Sequence, residues 1–238
     1  MKVNPFHKEE ENEFEYQQYL KGCNPLWGVY RQEFNFPAIP YGNRNKASFK
    51  TKVQEQINDI HYYFVDEVKV EIILYLQEGR RYETPASADL DNYAKLLCDC
   101  IKGKNGILID DIQIQHLSVT WFDTLEEKFE IVITGRTDDF IMKDIEFYEM
   151  PNGMYYPISN KIWTLDGIKA VENQPLLVEL LSLQIQDLKR FRHTLHQSGL
   201  QGEIAYHEYM KWHPILRGFQ KNRILESGFE IHSINIRR

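Results

Sequence analysis

Nothing in this chain of 238 residues approaches the roughly 18 uninterrupted apolar residues that a membrane-spanning helix needs. A membrane partner is therefore not expected. The opening stretch, "MKVNPFHKEEENEFEYQQYL", is polar and acidic and carries no apolar signal core, so export is not expected either. Cysteine is scarce. Cys23, Cys98 and Cys100 are an odd count without zinc-type spacing. Cys98 and Cys100 stand two apart on an expected helix and point about 200° away from each other, too far to share a metal. Reduced thiols in a cytoplasmic setting fit that pattern. Positive charge is also short: the formal net charge is -7, the wrong sign for a chain that binds nucleic acid over its whole surface. P-loop, dinucleotide and serine-nucleophile motifs are all missing.

What is present suits a globular protein. The apolar fraction of 42% and the aromatic fraction of 13% are enough to build a core. Residues 1–30 read as a polar N-terminal arm. Residues 31–138 read as one domain in the order strand, helix, strand, helix, strand, strand, an α/β (α+β) class with a mixed β-sheet and packed helices. Here "EFNFPAIP" is a strand running into a proline loop, and Phe49, Val53, Ile57 and Ile60 recur at helical spacing. "DEVKVEIILYLQEG" is a strong strand. A helix is expected from about Asn92 to Lys102, stopped by Gly103 and Gly106. "GILIDD" reads as a short strand or turn, and "IQIQHLSVTWF" with "KFEIVITG" as a two-stranded hairpin.

Residues 139–238 form a C-terminal extension with a different texture. "IEFYEMPNGMYYPI" predicts a hairpin turning at Asn152 and Gly153. "NQPLLVELLSLQIQDLKRFRHTLHQSG" predicts a long amphipathic helix. Leu177, Leu181, Gln184, Leu188, Phe191 and Leu195 follow a 4-3-4-3-4 spacing broken by one polar residue, fewer than three clean heptads, which suits core packing better than a coiled-coil seam.

Charge is unevenly spread. Residues 41–52, "YGNRNKASFKTK", carry Arg44, Lys46, Lys50 and Lys52 and no acid, and the last 28 residues hold six Lys or Arg against two Glu. The chemically richest stretch is "SADLDNYAKLLCDC". One aspartate before a helix is ordinarily an N-cap. Two, Asp89 and Asp91, exceed that need, and Asp91, Lys95 and Asp99 make an i, i+4, i+8 stripe. A second acid pair, Asp110 and Asp111, ends the apolar run "GILI". Clustered carboxylates repel one another, and a divalent cation relieves the repulsion. Oxygen donors suit Mg²⁺, with Mn²⁺ as a substitute. A nearby Lys supplies the fixed positive charge that a phosphoryl transition state needs. Together these features point to metal-dependent phosphodiester cleavage.

"DLDNYAKLLCDCIKGKNGILIDDIQI" closely resembles the signature of the RusA-like crossover-junction endodeoxyribonucleases, the Holliday-junction resolvases. Their pattern is Asp-Leu-Asp-Asn, a Lys four residues past the second Asp, a glycine-containing return, then Asp-Asp followed by Gln. "FPAIPYGNRNKASFKTK" looks like the same family's strand, proline and basic loop. The resemblance covers roughly residues 31–136. It implies Asp89, Asp91 and Asp111 as metal-binding and catalytic acids, Asp110 as an accessory acid, and Lys95 as the catalytic lysine aimed at the scissile phosphate. It also implies a homodimer that makes paired nicks in branched DNA during recombination and repair. Arg44, Lys46, Lys50 and Lys52 would hold DNA phosphates without reading bases.

Two features depart from that pattern. Residues 31–140 sum to -6, whereas the family domains are basic. The C-terminal extension is unlike the family and is a candidate surface for a protein partner or for extra phosphate contacts. Two rival functions follow. One is a catalytically inactive junction-binding or protein-interaction module of the same fold. The other is a D-x-D glycosyltransferase, which places its acid pair at the end of an apolar strand rather than at a helix start. His193 and His196 share a helical face but lack an evident third ligand, so they read as surface residues. Trp27, Trp121, Trp163 and Trp212 read as core rather than base-stacking residues.

Overall fold

The computed structural model describes residues 23–24, 28–83, 88–136, 139–164, 167–171, 174–199 and 217–232. Most of the N-terminal arm, the segment 84–87 before the acid pair, and much of the basic C-terminal stretch lie outside them. So do Trp27, Trp212 and the side chain of Trp163. The described residues fall into two compact units that divide chiefly between Phe140 and Ile141. None of their helices is long and apolar enough to cross a membrane.

The first unit holds β1 (Cys23–Asn24), β2 (Val29–Phe34), α1 (Lys46–Ile57), β3 (Tyr62–Phe64), β4 (Val68–Leu76), α2 (Glu78–Tyr82), α3 (Leu90–Ile101), a 3-10 turn (Asp111–Gln113), β5 (Ile114–Asp123) and β6 (Lys128–Thr134). Five strands form one mixed sheet in the order β1-β2-β6-β4-β5, and the α+β class expected from the sequence holds. The expected hairpin of β5 with β6 does not form. β4 lies between them, parallel to β5 and antiparallel to β6. The reason is in the side chains. Val68, Val70, Ile72, Leu74 and Leu76 of β4 line one buried face, and the residues between them are mostly half-buried, the pattern of a central strand. β5 instead is exposed or half-exposed along its length, the pattern of an edge strand. A parallel β4–β5 pair needs a crossover, which α3 supplies.

In register, Phe34, Phe129 and Leu74 stand opposite one another across β2, β6 and β4. Phe34 and Phe129 stack with ring centroids 4.6 Å apart, and Phe36 meets Phe129 edge-on at 5.4 Å. Phe49 of α1 closes this cluster at 5.8 Å from Phe129, with Val53 and Ile57 buried one and two turns on. The helix α1 starts at Lys46, so Lys46, Lys50 and Lys52 are helical rather than loop residues. α3 buries Tyr93, Ala94, Leu96, Leu97, Cys98, Cys100 and Ile101. It meets α1 through a bond from the Gln54 side-chain amide to the Cys100 carbonyl at 3.3 Å.

The second unit contains most of β7 (Phe140–Met142), then β8 (Ile145–Glu149), β9 (Tyr155–Ser159), β10 (Lys161–Thr164), β11 (Gly167–Ala170), α4 (Gln174–Gln197), α5 (Lys221–Glu226) and β12 (Ile231–His232). β8 and β9 form the predicted hairpin, with Glu149 opposite Tyr155. Its loop carries Gly153 at φ 78°, the left-handed conformation that glycine tolerates best. Val178, Leu181 and Ile185 of α4 pack with Met150, Tyr156 and Ile158. The buried stripe of α4 is thus core, while Leu177 and Gln184 of the heptad-like series are exposed. His193 and His196 are exposed as well.

Burial of α3 fixes the state of two thiols. Desolvation pushes Cys98 up to about 12 from an ordinary 9.0, with Asp111 and Asp99 adding to the effect. Desolvation likewise takes Cys100 to about 12. In a Cys23→Ser variant at pH 8, an aromatic disulfide reagent should therefore label neither thiol until denaturant unfolds the domain. A raised thiol pKa stabilises the fold below the unfolded value and loses that contribution as pH rises through the folded one. Melting temperature should accordingly decline between pH 9 and 12.

Candidate active site

α3 begins at Leu90 with Asp89 in the N-cap position, φ -67° and ψ 155°. The sequence favours a helix here because its apolar residues recur on one face, and Lys102 ends it in extended conformation. Asp89 does not cap: its side chain makes no capping hydrogen bond. Its carboxylate is exposed, as are that of Asp91 in the first turn and the ammonium of Lys95 one turn further on. An aspartate at this position usually accepts a backbone N–H. Leaving it free forgoes that stabilisation and keeps the oxygens available to a ligand.

The chain returns from α3 through "KGKNG". Gly103 has φ 87° and donates its N–H to Leu108 O at 2.9 Å. Gly106 lies so close to the helix end that a Cβ there would stand 2.3 Å from Ile101 O. The N–H groups of Ile107 and Leu108 both bond to that same carbonyl, at 2.8 and 2.9 Å. The glycines thus let the strand-like "ILI" lie against the last turn of the helix. Tyr63 of β3 fastens the loop with a bond from its hydroxyl to Lys104 O at 2.7 Å.

Asp110 and Asp111 follow at once and have different tasks. Asp110 is buried, and its Oδ1 accepts the Ile112 N–H at 3.1 Å, capping the 3-10 turn. Asp111 is half-buried, and its Oδ2 lies 2.7 Å from Lys102 Nζ, which is also 3.3 Å from Asp99 Oδ1. Burial disfavours the Lys102 ammonium, yet Asp111 and Asp99 together outweigh burial and raise its pKa.

Gln113 holds the turn. It is 1% exposed and all of its carboxamide bonds go to backbone. Oε1 accepts the N–H groups of Ile109 and Asp110 at 2.8 and 3.1 Å. Nε2 donates to the carbonyls of Phe64 and Asp66 at 2.8 and 3.1 Å. This is the physical content of the spacing Asp-Asp-x-Gln: the glutamine clamps the acidic turn to the segment joining β3 and β4. The sequence flagged the residue but gave no sign of this role.

The structure brings the basic segment to the start of α3. The Tyr41 N–H donates to Asn92 O at 3.0 Å. The Tyr41 ring receives Lys95 Nζ at 4.1 Å and Lys46 Nζ at 4.5 Å from its centroid. Lys52 Nζ stands 3.8 Å over the ring of Phe36. Arg44 is exposed and Lys50 half-buried. Lys95, which the helical stripe sets between Asp91 and Asp99, turns to an aromatic face instead. Asp99 pairs with Lys102. Trp121, half-buried on β5, meets Tyr82 edge-on at 5.6 Å and lies under Arg81 at 4.5 Å.

Among the described residues, no three His, Cys, Asp or Glu side chains are gathered into a group that could hold a metal ion. The donor chemistry nevertheless fits a hard divalent cation, since Asp89 and Asp91 offer exposed carboxylate oxygens from one helical turn. The third expected donor, Asp111, is occupied at Oδ2 by Lys102.

Residues 35–134 match the family model described as Endodeoxyribonuclease RusA. The match contains all five candidate acids and lysines of the α3 region and leaves the second unit unmatched. No curated protein sequence matches the chain.

Replacing Gln113 by Ala removes four hydrogen bonds between a buried side chain and the backbone. Stability should fall by roughly 3–5 kcal/mol, read as a shift in the denaturant midpoint. Gln113→Glu should also destabilise, because a carboxylate cannot donate to the Phe64 and Asp66 carbonyls.

Proposed function

Taking residues 35–134 as a RusA-type endodeoxyribonuclease domain, we propose that the protein is a divalent-metal-dependent endonuclease. It cuts branched DNA, Holliday junctions above all, in recombination and repair. Mg²⁺ is the working ion and Mn²⁺ a substitute, and the protein acts as a homodimer whose two sites make paired nicks. The buried, unoxidised Cys98 and Cys100 suit a reducing cytoplasmic setting. The observation that carries the nuclease reading is the entrance of α3. There an N-cap aspartate withholds its carboxylate from capping, a second aspartate follows within one turn, and a lysine stands one turn further on.

In this reading Asp89, Asp91 and Asp111 hold the cation, and Asp110 shapes the turn that presents Asp111. A bound divalent cation supplies Lewis-acid charge neutralisation and a more acidic water for phosphodiester hydrolysis. Lys95 directs its ammonium at the scissile phosphate, where negative charge grows on the non-bridging oxygens. Arg44, Lys46, Lys50 and Lys52 grip flanking phosphates, which offsets the acidic sum of the domain. The residues beyond 138 extend the nuclease domain and offer a surface for a partner protein.

A second reading, the inactive junction-binding module, is favoured by one observation: the Lys102–Asp111 ion pair already neutralises the third acid. The two readings differ in a single assay. With Mg²⁺ and a synthetic four-way junction, the nuclease yields symmetric nicks that plain duplex does not. Asp91→Asn and Lys95→Ala should each lower the cleavage rate at least about 100-fold while preserving junction binding. Binding by the wild-type protein without nicking, in Mg²⁺ and in Mn²⁺, would establish the inactive module instead. Affinity should drop steeply with added salt, and Lys50→Ala should flatten that slope.

A further inference from the structure

We infer that Tyr41 is a positioning residue for Lys95. It fixes the direction of that ammonium and couples it to the phosphate grip of Lys46, an inference that rests on the role just proposed for Lys95.

Three observations converge on this tyrosine. Its backbone N–H bonds to Asn92 O at 3.0 Å, so the loop between β2 and α1 is fastened to the first turn of α3, one residue past Asp91. Lys95 Nζ then lies 4.1 Å from the ring centroid. Lys46 Nζ lies 4.5 Å from the same centroid. A lysine side chain carries about 2 kcal/mol of rotamer entropy and on an exposed helix turn samples many directions. An aromatic face attracts an ammonium electrostatically and narrows that choice. Among the described residues neither Lys95 nor Lys46 makes an ion pair, so the ring is what orients them.

The arrangement has a cost that points to its use. Two ammonium groups on one ring repel each other. Lys46 also sits in the first turn of α1, a turn with no acidic residue, where the helix dipole disfavours a cation. Three positive potentials therefore meet at the Tyr41 ring. A phosphodiester anion relieves all three at once. The ring holds the lysines ready for that anion without neutralising them, as a carboxylate would. This leaves their charge available when negative charge develops on the phosphate.

The test uses the full chain and three variants in the four-way-junction assay. Tyr41→Leu keeps apolar bulk against α3 and the backbone bond to Asn92, but removes the π face. Its cleavage rate at saturating junction should fall roughly three- to tenfold, with KM changed less than twofold and the melting temperature unaltered. Tyr41→Phe retains the face and should restore the wild-type rate. Lys95→Met in the same assay keeps the two claims separate. If Lys95→Met is dead and Tyr41→Leu cleaves at the wild-type rate, or Tyr41→Phe is as slow as Tyr41→Leu, the positioning role is wrong while the nuclease reading stands. If Lys95→Met cleaves normally, the nuclease role of Lys95 falls first and the Tyr41 inference with it. A loss in Tyr41→Leu that appears in KM and melting temperature but not in rate would assign the ring to loop docking and overturn the inference.

Discussion

The carboxamide of Gln113 sits where three stretches of backbone meet out of reach of water: the turn at Asp110, the apolar run before it, and the link from β3 to β4. Each of those stretches carries polar groups that the sheet and helices leave unpaired. Buried and unmatched, such groups would cost more than any apolar contact nearby could return. Gln113 satisfies four of them with one side chain. The position of Asp111 follows from this, because the 3-10 turn that carries it is fixed from below. So does the start of β5, which enters the sheet directly after the clamp. The acidic site and the edge of the sheet thus share one anchor.

Around that anchor the domain, acidic in sum, treats its cations in two ways. Several acids are bound internally. Glu130 pairs with Arg31, Glu127 with Arg80, and Glu33 with Lys128. The lysines of the α1 and α3 entrances are treated differently. They rest on aromatic faces, Lys52 on Phe36 and both Lys46 and Lys95 on Tyr41. Ring faces orient an ammonium without cancelling its charge, whereas a carboxylate does both. Net charge is therefore a poor guide here to where positive charge is concentrated.

The hairpin expected from "IQIQHLSVTWF" and "KFEIVITG" illustrates how pairing is decided. Both segments have strand character and lie close in the chain, so local reasoning joins them. The sheet instead inserts β4, whose five alternating aliphatic residues line the middle of the buried face. The helical lysines show a similar shift at smaller scale. Asn45, the N-cap residue, makes no side-chain capping bond, so local capping alone does not fix where α1 begins. The burial of Phe49 with Phe129 and Phe36 settles it.

By itself the sequence determined the elements and the family resemblance. Periodicity set α1, α3, α4 and the strands, glycines marked the return after α3, and the spacing of Asp89, Asp91, Lys95, Asp110, Asp111 and Gln113 carried the family signature. These are properties of residues near one another in the chain, where backbone geometry converts spacing into direction. Tertiary structure alone decided that β4 separates β5 from β6, that Gln113 reaches the Phe64 and Asp66 carbonyls, and that Tyr41 meets Lys95. Each of those outcomes depends on contacts between segments far apart in sequence. Their free energy comes from burying the whole core at once, and no local pattern encodes it.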